Sequence, residues 1–277
     1  MTGTPRRLSL NGLSFAVDDQ GSVPAIILLH GYPDDRHLWA KMAPLLRAQG
    51  FRTIAPDLRG FGDTDIAPRA ADYRLADCLV PDVLALMDKL ALPRAYLVGH
   101  DWGAALAWAV AALVPDRVER LAVLSVGHPT AVMRAGLEQK LRSWYMLFHK
   151  MTGLAEAVMS AAGGAVLTRL WADHPERDRA VDRLMRPGRL TAGLNWYRAN
   201  VPLAALVGAA DLLPSVPADV VGLWSSGERY LTEAGMTDSE GFVRGRFAYH
   251  RIDAASHWIP LDAPQEAARH VGTFFKT

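Results

Sequence analysis

The five residues GHDWG, Gly99 to Gly103, are the part of this chain best suited to covalent chemistry. They close an aliphatic run, AYLVGH at 95 to 100, and lead without a gap into an alanine-rich helical pattern. A nucleophile with glycine two residues to either side is what a sharp strand-to-helix turn requires, because that turn lifts one side chain above the end of a strand. Serine usually fills the central position, but here it is Asp101. With a reference pKa of about 3.9 the carboxylate is ionised at neutral pH and needs no base before it attacks. Its suitable target is an electrophilic sp³ carbon, which gives a covalent ester. A carboxylic ester substrate would instead give a reactive anhydride, so an epoxide or an alkyl halide matches this residue better.

An aspartyl ester must then be hydrolysed, and two further motifs offer the means. ASHWIP at 255 to 260 presents His257, which is free to act as general base toward water because the nucleophile does not need it. LLHGYPDD at 28 to 35 follows an apolar run and places Tyr32 after a His-Gly pair. Backbone N–H groups of Tyr32 and Trp102 would hold the developing oxyanion, each such donor being worth about 3–4 kcal/mol. Gly31 and Gly103 fit positions where backbones approach closely. Taken singly these motifs are weak: His30, His100 or even His257 also reads as a satisfied polar group at a strand end. Their order and spacing together carry the reading.

The elements needed to position these residues are visible. LSLNGLSFAV reads as a hairpin turning at Asn11-Gly12. Short apolar runs follow at 25–30, 52–57, 95–100, 120–126, 219–224 and 246–253, separated by helical patterns. This alternation predicts an α/β fold, a mostly parallel sheet covered by helices on both faces. In such sheets ligands bind beyond the carboxyl ends of the strands, where all three motifs fall. The strand signal vanishes between about 130 and 215, leaving helical patterns broken at Gly153, Gly163-Gly164, Pro187-Gly188 and Pro214. The expected division is a core of 1–129 and 216–277 with a helical cap of 130–215 inserted.

The chain resembles the α/β-hydrolase superfamily and, within it, the epoxide hydrolases with an aspartate nucleophile. The resemblance rests on HGYP at 30–33, DLRGFGDTD at 57–65, GHDWG at 99–103, SHW at 256–258, SWYMLF at 143–148 and LNWYRAN at 194–200. It implies a nucleophile–acid–histidine order and a pocket between core and cap that includes His30, Trp102, Phe148 and Trp258. It places the acid four residues after Trp224, at Glu228, one methylene longer than the usual aspartate; Asp253 and Asp238 remain alternatives. It also implies two cap tyrosines, Tyr145 and Tyr197, that donate a proton or a hydrogen bond to the oxygen of an opening epoxide. A phenol of pKa about 10 stays protonated for that task, although either residue alone also reads as a core aromatic. Ser256 and Thr152 depart from the family's usual glycine and proline.

The expected activity is conversion of a hydrophobic epoxide to a diol, with water as the only co-substrate. Haloalkane dehalogenase is the alternative, although Tyr32 stands where those enzymes commonly carry a halide-binding asparagine. A hydrolase-fold protein that binds its ligand without turnover is a second alternative. The totals agree with a soluble enzyme: 277 residues, half of them hydrophobic, with 30 basic against 29 acidic side chains. No block of like charge suggests nucleic acid, and the mixed run at 174 to 189 reads as a solvated face. A single cysteine, Cys78, read as a buried structural thiol, excludes an internal disulfide. No signal-peptide or membrane-span pattern is present, so a cytoplasmic location is expected. Neither a metal motif nor a dinucleotide fingerprint occurs, and no cofactor is expected. The sequence does not choose between monomer and homodimer.

Overall fold

The computed structural model describes residues 4–204 and 211–277. Eight strands form one sheet: β1 (Arg6–Leu10), β2 (Leu13–Gln20), β3 (Ala25–Leu29), β4 (Arg52–Pro56), β5 (Ala95–His100), β6 (Val118–Leu124), β7 (Asp219–Ser225) and β8 (Phe247–Ile252). Their order across the sheet is β1-β2-β4-β3-β5-β6-β7-β8. β1 and β2 pair antiparallel through the Asn11-Gly12 turn, whose residues take positive φ, and β2 pairs antiparallel with β4. The remaining pairs are parallel. Every residue of β3 and most of β5 and β6 are buried, as expected of strands covered on both faces.

Helices α1 (Met42–Ala48), α2 (Val80–Lys89) and α3 (Trp102–Leu113) follow β3, β4 and β5. The C-terminal helix Pro264–Lys276 is amphipathic, with Ala267, Ala268, Val271 and Phe275 facing the core. α2 is entered through a π turn at Leu75–Leu79, with Pro81 in its first turn, where a missing N–H costs nothing. Cys78 lies in that π turn and is half-buried rather than buried, a correction to its reading as a core thiol.

From β3 the chain crosses to β4 on one side, while β5 lies on the other side of β3. Loops leaving β3 and β5 therefore diverge and open a crevice at their carboxyl ends, where ligands bind in open α/β sheets. Over that crevice lie, among the described residues, the helices between β6 and β7: α4 (Pro129–Arg134), α5 (Gly136–Arg142), α6 (Trp144–His149), α7 (Leu154–Leu170, broken by non-helical backbone at 161–164, as expected at Gly163-Gly164), α8 (Arg177–Leu184) and α9 (Arg189–Asn200). Residues 205–210, within the expected cap, lie outside the described residues. α9 is buried nearly all round, and its C-terminal end is pinned to the core by Asn200. The Asn200 Nδ2 donates to the Tyr73 carbonyl at 2.7 Å, and its Oδ1 accepts from the Leu75 N–H at 2.8 Å.

Candidate active site

Asp101 joins β5 to α3 with φ 52° and ψ −123°, a conformation that costs a non-glycine residue energy and persists only where surrounding structure enforces it. That enforcement needs small neighbours. A Cβ on Gly31 would lie 2.4 Å from the Asp101 side chain, and one on Gly103 would lie 2.0 Å from the Leu29 carbonyl oxygen. The crowding brings the loop after β3 against the elbow, so that the Tyr32 N–H donates to Asp101 Oδ1 at 2.8 Å. The Trp102 N–H also donates to this carboxylate, from the first turn of α3, where the helix dipole favours negative charge.

Across the carboxylate stands His257, buried, with Nε2 3.6 Å from Asp101 Oδ2. Its Nδ1 meets Glu228 Oε2 at 2.6 Å. Glu228 is buried too, and its other oxygen accepts from the N–H groups of Tyr230 and Leu231. The His257 carbonyl is braced from behind by Ser125 Oγ at 2.7 Å and by His100 Nε2 at 2.9 Å. Burial, then the neighbouring His257, lower His100 to a pKa of about 4, so its ring stays neutral. Of the alternatives to Glu228, Asp253 is a solvated partner of Arg251, and Asp238 opens a 3₁₀ turn after a short helix.

Burial alone would raise the Asp101 carboxyl and lower the His257 imidazole. Each is overridden by its partners: His257 holds Asp101 below the ordinary carboxylate value, while Glu228 and then Asp101 raise His257 to about 10. The resting site is therefore an imidazolium between two carboxylates.

Tyr145 on α6 and Tyr197 on α9 face this carboxylate from above, their rings edge to face with centroids 6.1 Å apart. Burial, and then the charge on Asp101, push both phenols well above their ordinary pKa, so both keep their protons. The Tyr197 ring also packs edge-on against Trp102 at 5.0 Å. Two cavities of about 480 and 450 Å³ adjoin the site, within the size range of small-molecule pockets. Trp102 lines the first; Tyr32, His257 and Trp258 line the second.

Two expected pocket residues lie elsewhere. His30 is fully buried below the site: its Nε2 accepts from the Leu58 N–H at 2.9 Å and its Nδ1 donates to the Gly31 carbonyl at 2.9 Å. Both ring nitrogens are engaged, so His30 is a structural brace. Phe148 is not among the residues lining either cavity; His149, four residues after Tyr145 on the same helix face, takes that place.

Other residues at the site were not singled out from the sequence, although Asp34 lies within the LLHGYPDD motif. Asp34, buried, accepts from Trp258 Nε1 at 3.0 Å and from His174 Nε2 at 3.2 Å. His174 Nδ1 accepts from the Glu176 N–H at 2.9 Å, which fixes the neutral tautomer with its proton toward Asp34. The mixed-charge run is not simply solvated either. Arg179 and Arg183 of α8 reach Asp35, and Arg183 and Arg186 reach Asp63, tying the inserted helices to the core. Neither Asp35 nor Asp63 belongs to a motif that announces a partner more than 100 residues away.

Residues 24–264 match the alpha/beta hydrolase fold family. Epoxide hydrolase 3 of Xenopus tropicalis is 32% identical over 91% of this chain and 71% of its own length. Epoxide hydrolase 2 of Siraitia grosvenorii is 28% identical over 97% of both chains. Among solved structures, an epoxide hydrolase of Bacillus megaterium in complex with an inhibitor superposes with a TM-score of 0.88 over 98% of this chain and all of its own, at 23% identity. That last likeness bears on the fold.

Proposed function

We infer the chemistry from one premise: this chain belongs to the alpha/beta hydrolase fold family, among relatives named as epoxide hydrolases. It is an enzyme that hydrolyses an epoxide to a vicinal diol. We read residues 130–215 as its cap and 1–129 with 216–277 as its core. Asp101, His257, Glu228, Tyr145 and Tyr197 are the groups to which we assign the reaction.

Asp101 Oδ1 is held by the Tyr32 N–H, so Oδ2 is the oxygen free to attack. It bonds to one epoxide carbon while that carbon's bond to oxygen breaks. Tyr145 and Tyr197 deliver a proton to the alkoxide that forms. The ester has no charge, so the imidazolium of His257 loses one of its two supports and gives up its proton, which balances the one taken by the alkoxide. Neutral His257 then takes a proton from water as the water oxygen bonds to the ester carbonyl carbon. Oδ1 carries the negative charge in that tetrahedral state, stabilised by the N–H groups of Tyr32 and Trp102. Collapse breaks the bond between the acyl carbon and Oδ2; that oxygen takes the second proton of the water, left on the new hydroxyl, and leaves as part of the diol, so Asp101 returns as the carboxylate. His257 ends as the imidazolium and the resting state is restored.

The observation that carries this reading is the pair of proton-holding tyrosines facing an ionised Asp101. A halide leaves without a proton and would have no use for them. Turnover of styrene oxide and of 1-chlorobutane tests it. Diol should form and no halide should be released, and Asp101→Asn should lower diol formation by at least about 10³-fold. Halide release without diol would make this a dehalogenase, and silence on both would make it a binding protein.

A further inference from the structure

Two polar atoms on residues lining the second cavity are buried without a hydrogen-bond partner among the described residues: His149 Nδ1 and Tyr32 Oη. The two residues are 6% and 5% exposed. Their rings lie edge to face with centroids 5.7 Å apart, and His149 packs the same way on Tyr197 at 4.4 Å and on Tyr145 at 5.4 Å. Burial, and then the charge on Arg198, lower His149 to a pKa of about 3. Burial, and then Asp101, push the Tyr32 phenol well above its ordinary value. His149 is therefore a neutral imidazole, and Tyr32 keeps its proton. Other charged groups on that wall are paired, Arg142 with Glu138 and Arg229 with Asp173. A buried polar atom left unpaired costs free energy that a ligand recovers by pairing it.

We propose that His149 and Tyr32 form a subsite for a hydroxyl group on the substrate, so that the enzyme prefers a 2,3-epoxy alcohol to the epoxyalkane of the same skeleton. The proposal rests on the epoxide hydrolase reading above. A hydroxyl both donates and accepts, so it pairs Nδ1 in either imidazole tautomer and still has a bond to offer the Tyr32 phenol. In that reading Tyr145 and Tyr197 hold the epoxide oxygen, and the His149 ring stands against both of them. The hydroxyl therefore belongs on a carbon next to the epoxide ring. A wall of apolar groups alone would reject it, since its oxygen would lose water without gaining a partner.

The test compares kcat/KM for trans-2,3-epoxyhexan-1-ol and trans-2,3-epoxyhexane. The alcohol should be favoured. His149→Phe keeps an aromatic ring and removes both nitrogens, and it should lower the alcohol-to-alkane ratio by about ten-fold or more. Tyr32→Phe removes the phenol oxygen but keeps the backbone N–H that serves Asp101, and it should lower the same ratio several-fold. His149→Gln again offers a donor and an acceptor and should restore most of the ratio. A purely structural role for either residue would slow both substrates together and leave the ratio where it was. A wild-type ratio below one, or a ratio that neither phenylalanine variant lowers, would overturn the subsite while leaving the enzyme an epoxide hydrolase. Diol from neither substrate, nor from styrene oxide, would overturn both readings together.

Discussion

Glu228 shows at the scale of one residue how charge organises this site. Its longer side chain still reaches His257 Nδ1 at 2.6 Å, because the other carboxylate oxygen is anchored by two backbone N–H groups of the following turn. Without that anchor, the raised pKa of His257 would lose its main support. Glu228→Gln keeps the shape and removes the charge. Ester formation should proceed, whereas ester hydrolysis should slow by about 10²–10⁴-fold, the cost found when a histidine base loses its acid. Intact-protein mass spectrometry would then show the alkyl adduct accumulating. Equal slowing of both steps would remove Glu228 from this role. Asp101, His257, Tyr145, Tyr197 and Glu228, which the structure brings together, each sit at a fixed offset from a local motif and so could be nominated from the sequence. His30 and Phe148 were not assigned correctly, since a motif names a residue without saying which way its side chain turns. His30 turns down to hold the Leu58 N–H, and Phe148 leaves the cavity wall to His149.

At the scale of elements, β-branched and aliphatic runs bounded by turn residues marked the strands to within two residues, except that β2 runs three residues past the hairpin read from the sequence. The pairing of α8 with the core could not be read that way. Arg179 and Arg183 lie one helical turn apart, but nothing local reveals that they face Asp35. Asp35 is buried; burial would raise its carboxyl, but His37 and Arg179 hold it well below the ordinary range. Arg179→Met should destabilise the protein by about 1–3 kcal/mol, the cost of leaving a buried charge short of a partner. The same change in an Asp35→Asn background should cost clearly less. Urea denaturation of the four proteins of this double-mutant cycle would measure the coupling. Strict additivity would mean that the Arg179–Asp35 pair does not help to hold α8 to the core.

At the scale of the whole molecule, core and inserted helices meet around Asp101, whose charge the proposed cycle removes and restores. In the free enzyme Asp101 lies below the ordinary carboxylate range and both tyrosines lie well above the ordinary phenol range. Ester formation should therefore be nearly flat between about pH 5.5 and 9. In the proposed cycle hydrolysis depends on neutral His257, which Glu228 and then the ionised Asp101 raise to about 10 in the free enzyme. In the ester the charge on Asp101 is gone. The hydrolysis rate should rise with pH and level off at an apparent pKa below 10. Stopped-flow fluorescence separates the two steps, and a hydrolysis rate that falls with rising pH would contradict the base role. The crevice was legible from strand order, but the two cavities were not, since their walls combine residues from the loop after β3 to the loop after β8.

The most direct measurement is a single turnover of styrene oxide in ¹⁸O-water with enzyme in excess. The covalent route predicts unlabelled diol in that first turnover and one ¹⁸O atom in the peptide containing Asp101. Labelled diol with an unlabelled Asp101 would mean that water opens the epoxide directly, and the nucleophile assigned here would be wrong.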